Sequence, residues 1–221
     1  MSSGALTLAI DASTYRGTVA VIAGTEVLAT SEVAMRGERE ERLMPAIASA
    51  LGTAGASVAD LGRVVVGGGP GSFTSLRIGA ALAKGICLVR QIPLAAMPSL
   101  ALLVAGASHP PADARFLAVL DAMRGDVYAA LLEVHGGVVV TSERARLVAR
   151  GAVEELARSL DAKLVGAGDP PDALPHARGL ARLEPSLVRE VPISTWEPDY
   201  GRLAEAQVRW EAEHGRSLAT G

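Results

Sequence analysis

A glycine-rich run between two apolar segments carries the most chemical information in this chain. Residues 67–79 read Gly-Gly-Gly-Pro-Gly-Ser-Phe-Thr-Ser-Leu-Arg-Ile-Gly. The β-branched run at 64–66 predicts a strand before it, and the apolar periodicity of 74–89 predicts a helix after it. Glycines let backbone N–H groups approach an oxyanion closely, and a helix N-terminus adds partial positive charge. The glycine loop, residues 67–74, therefore predicts either a phosphate-binding loop or a tight turn that binds nothing.

Polar side chains near this loop and near the first predicted strand could complete such a site. Asp11 ends that strand and is followed by Ser13 and Thr14. A carboxylate can hold a hydrated Mg²⁺ and small hydroxyls can bond phosphate oxygens, but the same residue types also turn the backbone. Both interpretations stay open. The candidate residues of a nucleotide or phosphate cleft are Asp11, Ser13, Thr14, Gly71, Ser72, Thr74 and Arg77.

Three other kinds of site lack support in the residue spacing. His109, His135, His176 and His214 lie far apart, and no pair has the His-x-x-x-His spacing of a metal site, so no metal ligands are predicted. Ser72 lies in Gly-Pro-Gly-Ser-Phe rather than Gly-x-Ser-x-Gly, so no catalytic nucleophile is predicted. The glycine loop also lacks the Gly-Lys-Ser/Thr ending of a Walker loop.

Composition and charge narrow the class of protein. Hydrophobic residues make up 49% of the 221 residues and aromatic residues only 3%, which predicts one or two domains with an aliphatic core. The formal net charge is −3, and no basic face of the kind that grips RNA is obvious. Cys87 lies among apolar residues, which favours a buried structural thiol. Because no segment has membrane length and no leader pattern opens the chain, we expect a cytoplasmic protein that binds no membrane.

The pattern of predicted strands repeats after about a hundred residues. Leu8–Ala12 is echoed by Ala118–Ala122, and Gly17–Thr25 is echoed by Gly125–Glu133. Each copy places an aspartate, Asp11 or Asp121, at the end of its first strand. We predict a first subdomain at 1–107, a linker around 109–113, and a smaller second subdomain at 114–200. A helix at about 202–214 could pack back on the first subdomain.

Two similar halves that each begin with a three-stranded meander resemble the actin-like ATPase fold (ASKHA, ribonuclease H-like). This is an α/β fold in which the first-strand turns of the two halves face one another across a cleft. The resemblance implies that Asp11, Asp121 and the glycine loop could converge on one groove. The second half is the reduced one, and its small size leaves little chain for an adenosine pocket.

Five short segments carry a further resemblance. They are Leu8–Thr14, the Glu-Arg-Leu-Met-Pro run at 41–45, the glycine loop with Leu-Arg-Ile-Gly after it, the hairpin Asp121–Tyr128, and Glu197–Arg202. Together they resemble the TsaB (YeaZ) family. The chain departs from the usual family string at Gly68, where Arg is typical, and at Ser75, where Gly is typical. Arg39 and Glu40 also replace the usual His-Ser pair.

Membership in that family implies a non-catalytic subunit, with no enzymatic activity of its own. It would bind and activate a TsaD-like catalytic subunit for threonylcarbamoyl transfer to adenosine 37 of tRNA. A TsaE-like ATPase would be a further partner, the complex rather than this chain would use ATP and Mg²⁺, and tRNA would be reached only through the complex. A homodimer is possible when the chain is alone.

The same resemblance implies that the helices at 40–55 and 74–90 pair with their counterparts in TsaD. The residues predicted for that interface are Leu43, Ile47, Leu51, Ile78, Leu82 and Ile86. The alternative is that the chain's own sheet and helices cover these side chains. A rival from another functional class is a small actin-like ATPase or kinase that uses Asp11 and the glycine loop.

Overall fold

Two β-sheets with helices packed on them make up the part of the chain that the computed structural model describes, residues 5–35, 41–166 and 173–201. The strands are β1 Leu6–Asp11, β2 Arg16–Ala23, β3 Glu26–Ala34, β4 Leu61–Gly67, β5 Leu94–Met97, β6 Ala114–Asp121, β7 Asp126–His135, β8 Val138–Ser142, β9 Arg146–Ala149, β10 Lys163–Val165 and β11 Arg189–Glu190. The α-helices are α1 Leu43–Thr53, α2 Phe73–Arg90, α3 Ala101–Ala105 and α4 Val153–Ser159, and 3₁₀ turns lie at Val58–Asp60, Arg150–Ala152, Ala177–Arg182 and Pro185–Leu187. The helix predicted at 202–214 lies outside the described residues.

Four strands of the first sheet, β4-β1-β2-β3, have the same order as β10-β6-β7-β8 in the second sheet, which confirms the internal repeat. The first sheet runs β11-β5-β4-β1-β2-β3, and the second runs β10-β6-β7-β8 with β9 also paired to β7. In each sheet the first strand of the repeat lies between an antiparallel neighbour and a parallel one. The first sheet adds β5 and β11, so the second half is the reduced one, as predicted. This arrangement of two related halves is the actin-like ATPase fold.

The turn after the first strand of each half is also built in the same way. Asp11 pairs with Thr18 across β1 and β2, and Asp121 pairs with Val127 across β6 and β7. One carboxylate oxygen of Asp11 accepts the N–H of Ser13 at 3.0 Å, and one of Asp121 accepts the N–H of Met123 at 3.0 Å. Aspartate side chains commonly stabilise a turn by bonding the backbone two residues ahead. Both aspartates therefore have a local structural role.

Within the described ranges, apolar side chains form three buried clusters. One lies between the first sheet and α1 and α2, and one lies between the second sheet and α4. The third combines side chains of both sheets with α3 and the 3₁₀ turn at Ala177–Arg182. It contains Ala9 and Val65 from the first sheet and Leu120 and Leu132 from the second. The two halves therefore share part of their interior.

The chain returns to the first sheet after β10, which the sequence pattern did not indicate. The 3₁₀ turn at Ala177–Arg182 packs on α3, β1 and β2. Arg178 and Arg182 donate to backbone carbonyls at the end of α3, at 2.7 Å to Gly106 and 3.3 Å to Ala105. β11 then pairs antiparallel with β5. The predicted second subdomain, 114–200, thus includes residues that pack on the first sheet, and its boundaries stay a prediction.

Candidate functional site

Three backbone donors of the glycine loop bond acceptors within the chain. Gly68 donates its N–H to the carbonyl of Met97 at 2.8 Å, and Gly69 donates to Ser99 Oγ at 3.0 Å. Ser72 donates to the carbonyl of Ser13 at 2.7 Å. At Gly71, an added Cβ would collide with that same serine's carbonyl oxygen, so glycine is needed there for close approach of two backbones. These contacts favour the tight-turn interpretation of the loop over the phosphate cradle.

Asp11 lies beneath the loop with none of its surface exposed. One carboxylate oxygen accepts the N–H and the hydroxyl of Ser13, at 3.0 and 2.7 Å, and the other accepts the hydroxyl of Ser99 at 2.7 Å. Burial raises the pKa of Asp11, and the hydrogen bonds from Ser13 and Ser99 oppose that shift. A hydrated Mg²⁺ needs carboxylate oxygens that face water. In this arrangement Asp11 instead joins β1 to the residues after β5.

Gly71 and Ser72 meet the turn of Asp11 through Ser13, whereas Thr14, Thr74 and Arg77 have no contact with Asp11 among the hydrogen bonds described. Thr14 bonds the backbone of Arg16 in the β1–β2 turn, with its hydroxyl 3.2 Å from both the N–H and the carbonyl. Thr74 and Arg77 are exposed, and the Arg77 guanidinium lies 4.6 Å from the centre of the Phe73 ring. Ser72 is the residue before α2, but its hydroxyl lies 3.0 Å from that of Ser75 and caps no backbone N–H.

Asp121, the counterpart of Asp11 in the second half, is turned to solvent. Its side chain is 58% exposed and accepts from the Arg150 guanidinium at 2.8 Å. The described structure therefore places one of the two repeated aspartates inside the protein and the other in a surface ion pair. The two carboxylates do not form a joint metal or phosphate site. Among the described residues, no group of three His, Cys, Asp or Glu side chains is placed to hold a metal ion.

Residues 189–201, which we call the strap, lie against the glycine loop. Asp199 donates its N–H to the carbonyl of Gly68 at 2.8 Å. The Tyr200 ring lies 4.6 Å from the Phe73 ring, centre to centre, and the Tyr200 carbonyl accepts the hydroxyl of Tyr128 at 3.1 Å. Sequence reasoning noted the strap only as part of a motif. Its position depends on the pairing of β11 with β5, a two-residue contact that leaves no periodic signal.

Ser99 is the other residue that sequence reasoning missed. It is fully buried and joins Asp11 to Gly69 through one hydroxyl. A signal was available, because Ser99 follows β5, and β5 runs parallel to β4, whose end opens into the glycine loop. The carboxyl ends of neighbouring parallel strands lie at the same edge of a sheet, so polar residues there are expected to meet.

A cavity of about 500 Å³ remains between the strap, the glycine loop and the second sheet. Its charged lining consists of Glu143, Arg144, Arg189, Glu197 and Asp199. Arg144 is 87% exposed and lies 3.4 Å from the Asp199 carboxylate. Three carboxylates face two guanidinium groups there, which disfavours a polyphosphate because like charges repel it.

A second polar cluster lies on the edge of the first sheet, away from the glycine loop. Glu32 pairs with Arg16 at 2.6 Å, and its other oxygen lies 3.2 Å from Nε2 of the buried His176. Burial, followed by the nearby Arg178 charge, lowers the pKa of His176 to about 4. The imidazole is therefore neutral at pH 7, and its Nδ1 accepts the N–H of Arg178 at 3.1 Å. These contacts hold the 3₁₀ turn on the sheet.

Helices α1 and α2 lie side by side on the first sheet, as the sequence predicts. Glu41, at the start of the Glu-Arg-Leu-Met-Pro run, accepts the N–H groups of Leu43 and Met44 and so caps α1. Cys87 is buried within α2, and burial raises the pKa of its thiol to about 11, which confirms the structural thiol.

The six residues predicted for the partner interface mostly point inward. Leu43 and Ile47 have no exposed surface, Leu51 and Ile86 are also buried, and Ile78 and Leu82 are half-buried against the same cluster. The reason is that the apolar stripe of an amphipathic helix faces its own sheet first. The partner interface stays a prediction, and of its six residues Ile78 and Leu82 keep surface that a partner could contact.

The surface that the helix pair offers to solvent consists mostly of small and apolar residues, with the exposed Arg77 one turn before Ala81. We call it the outer face, and its exposed members are Met44, Ala48 and Gly52 on α1 and Ala81, Gly85 and Leu88 on α2. Leu88 is 64% exposed, and Val89 beside it is 83% exposed. Within the described residues, no helix is both long enough and apolar enough to cross a membrane.

Comparison with known proteins adds sequence relatives. Residues 32–170 match the model of the family described as TsaD, tRNA N6-adenosine threonylcarbamoyltransferase. The tRNA threonylcarbamoyladenosine biosynthesis protein TsaB of Bacillus subtilis is 36% identical over 132 residues, which cover 60% of this chain and 57% of that protein. The protein of the same name from Escherichia coli is 36% identical over 121 residues, which cover 55% and 52%. The chain thus spans little more than half the length of these relatives.

The fold has a counterpart among solved structures. YeaZ from Pseudomonas aeruginosa superposes with a TM-score of 0.72 at 22% identity, and the match covers 89% of this chain and 100% of that one. This structural similarity shows a shared fold, and the sequence matches indicate common ancestry. From the family model, the sequence relatives and the shared motifs, we conclude that the chain belongs to the TsaB (YeaZ) family.

Proposed function

We propose that this protein is a partner subunit in the synthesis of threonylcarbamoyladenosine in tRNA, and that it works by binding and activating a TsaD-like catalytic subunit. The outer face of α1 and α2 carries the proposal. It is exposed, it is mostly apolar with Arg77 as the exposed charge one turn before Ala81, and its small side chains let another pair of helices approach closely. A surface of this composition has little to offer a polar substrate but suits helix packing.

The internal architecture of the cleft supports a non-catalytic role. The carboxylate best placed by sequence, Asp11, is buried and bonded to two serines, and the N–H groups of Gly68, Gly69 and Ser72 bond acceptors within the chain. Catalysis would need a group that can reach a substrate. The chemistry would then lie in the partner, which transfers the threonylcarbamoyl group to adenosine 37. ATP would be consumed by the complex, with a TsaE-like ATPase as a further subunit.

Contact with tRNA would run through the complex. The net charge of −3 gives the chain no general attraction for phosphates. Described arginines outside the helix pair are often paired, as Arg150 is with Asp121 and Arg16 with Glu32. We therefore expect weak binding of tRNA by the chain alone and tighter binding once the catalytic subunit is present.

Reconstitution tests this proposal. The purified chain, a TsaD-like subunit and a TsaE-like ATPase are mixed with tRNA, ATP and threonylcarbamoyl-adenylate, and the modified nucleoside is measured by mass spectrometry after digestion of the tRNA. We expect product only when this chain and the catalytic subunit are both present. Equal product formation without this chain would refute the proposal, and so would product formation by this chain alone.

The rival function, an actin-like ATPase or kinase, predicts that the chain alone binds and turns over a nucleotide, whereas the proposed function does not. We expect isothermal titration of the chain with ATP and Mg²⁺ to give no binding at micromolar concentrations, because Asp11 faces inward and the charged lining of the cavity is mostly acidic. Micromolar binding with turnover that Asp11→Asn abolishes would favour the rival. The matched control is Asp60→Asn, which changes an exposed aspartate of the loop before β4.

A further inference from the structure

The strap makes contacts with both halves of the protein at one point above the glycine loop. On the side of the first sheet, Asp199 bonds the carbonyl of Gly68, and Tyr200 packs on Phe73, the first residue of α2. On the side of the second sheet, the hydroxyl of Tyr128 in β7 donates to the Tyr200 carbonyl. A segment of two residues thus joins the loop of one half to a strand of the other.

Close packing shows how little space the strap leaves. A Cβ added to Gly69 would collide with the carbonyl oxygen of Asp199. A Cβ added to Gly201 would collide with the Tyr128 ring and would lie 2.7 Å from the Pro70 side chain. Both glycines also have positive φ, +89° and +69°, where other residues are strained. The strap and the glycine loop are therefore fitted to each other with backbone against backbone.

The position of the strap decides what can reach the loop. A phosphate cradled by a glycine loop approaches the backbone from the side where side chains are missing. At Gly69 that side is taken by the Asp199 backbone, and the negatively charged Asp199 side chain lies beside it with Arg144. The chain's own peptide thus stands where an anionic ligand of this loop would need to be.

From this geometry we infer that the strap is a built-in latch, which occupies the glycine loop in place of a ligand and holds the two halves at a fixed separation. The contacts that join the halves above the glycine loop are made by a segment of the chain itself. The latch goes beyond the proposed function, because it does not depend on which partner binds the helix pair. It also assigns a role to the Glu-Pro-Asp-Tyr-Gly run at 197–201.

Hydrogen exchange measured by mass spectrometry tests the latch on the full chain. The informative variant is Gly201→Ala, which adds a methyl group against Tyr128 and Pro70. The control is Gly24→Ala, because Gly24 has a similar φ of +60° and an added Cβ would meet nothing within 4 Å. Backbone strain is then alike in the two variants, and only Gly201→Ala disturbs the strap. We expect peptides that cover 196–201 and 67–72 to exchange roughly tenfold faster in Gly201→Ala than in Gly24→Ala, with α1 unchanged in both.

Two further measurements keep the inference open to refutation if Gly201→Ala folds poorly. Tyr128→Phe removes only the hydroxyl that bonds Tyr200, and we expect a roughly threefold faster exchange of the strap. Addition of millimolar ATP and Mg²⁺ to the wild type should leave exchange of the strap unchanged. The inference is overturned if the wild-type strap exchanges at the rate of an unprotected peptide. It is also overturned if Gly201→Ala and Gly24→Ala behave alike, or if ATP speeds exchange of the strap while it protects the loop.

Discussion

Ala81→Glu is expected to abolish association with the TsaD-like subunit while the free protein remains folded. Ala81 lies on the outer face of α2 and is exposed, so a glutamate there is solvated in the free chain, and we expect the free energy of unfolding to change by no more than about 0.5 kcal/mol. In the complex the same carboxylate would lose its contact with water. A buried charge without a partner costs about 3–5 kcal/mol, which corresponds to a loss of affinity of roughly 150- to 5,000-fold.

The measurement is the dissociation constant for the catalytic subunit by isothermal titration, together with the modified nucleoside formed in the reconstituted reaction. Ala152→Glu is the matched control, since Ala152 is an exposed alanine in the second half, just before α4. We expect it to bind as the wild type does. Wild-type affinity of Ala81→Glu would show that the partner docks elsewhere. This substitution is preferable to one at Leu82, because Leu82 is half-buried against the core and its loss would also affect folding.

Asp11→Ala is expected to lower the free energy of unfolding by about 2–4 kcal/mol, because it leaves the N–H and hydroxyl of Ser13 and the hydroxyl of Ser99 without their buried acceptor. Asp11→Asn keeps one oxygen to accept from Ser13, and its NH2 group can donate to Ser99 Oγ in place of the bond that is lost, so we expect a smaller loss of about 1 kcal/mol and near-normal activity in the reconstituted complex. Urea denaturation followed by circular dichroism gives both values. A catalytic or metal-binding aspartate would behave differently, since its asparagine variant would be stable and inactive.

The stability difference between the wild type and Asp11→Asn should also depend on pH. Burial raises the pKa of Asp11, so the unfolded chain gives up this proton at a lower pH than the folded protein does. As pH rises above about 3.9, the unfolded-state value, the wild type therefore loses stability relative to Asp11→Asn, until the folded pKa is passed. A difference that stays constant from pH 4 to pH 8 would contradict the buried state of this carboxylate.

The sequence predicted the framework well because the framework depends on periodicity. Alternation over 5–12 and 17–23, and helical spacing over 74–90, are local signals, and the repeated aspartates at 11 and 121 marked the same turn in both halves. The observed bounds of some helices and strands differ from the predicted ones. The helix predicted at 40–55 is confined to Leu43–Thr53, whereas the helix predicted at 74–90 agrees with α2 to within one residue.

The candidate site was harder to predict because its residues have two possible uses. Aspartate, serine and glycine can bind a phosphate or can pack a turn, and only tertiary contacts decide between them. Asp11 became a buried acceptor because Ser99, distant in sequence, reaches it from the end of β5. Helical spacing likewise marked Leu43 and Ile47 as one face but could not say whether a sheet or a partner covers that face.

The apolar cluster that both sheets build together has a consequence for how this molecule can be taken apart. Each half buries part of its apolar surface only against the other half. Ala9 and Val65 of the first half and Leu120 and Leu132 of the second contribute to the same cluster. Cleavage of the chain near residue 110, where the repeat begins again, would expose apolar side chains of this cluster to water in each fragment. We therefore expect thermal unfolding to be a single concerted transition.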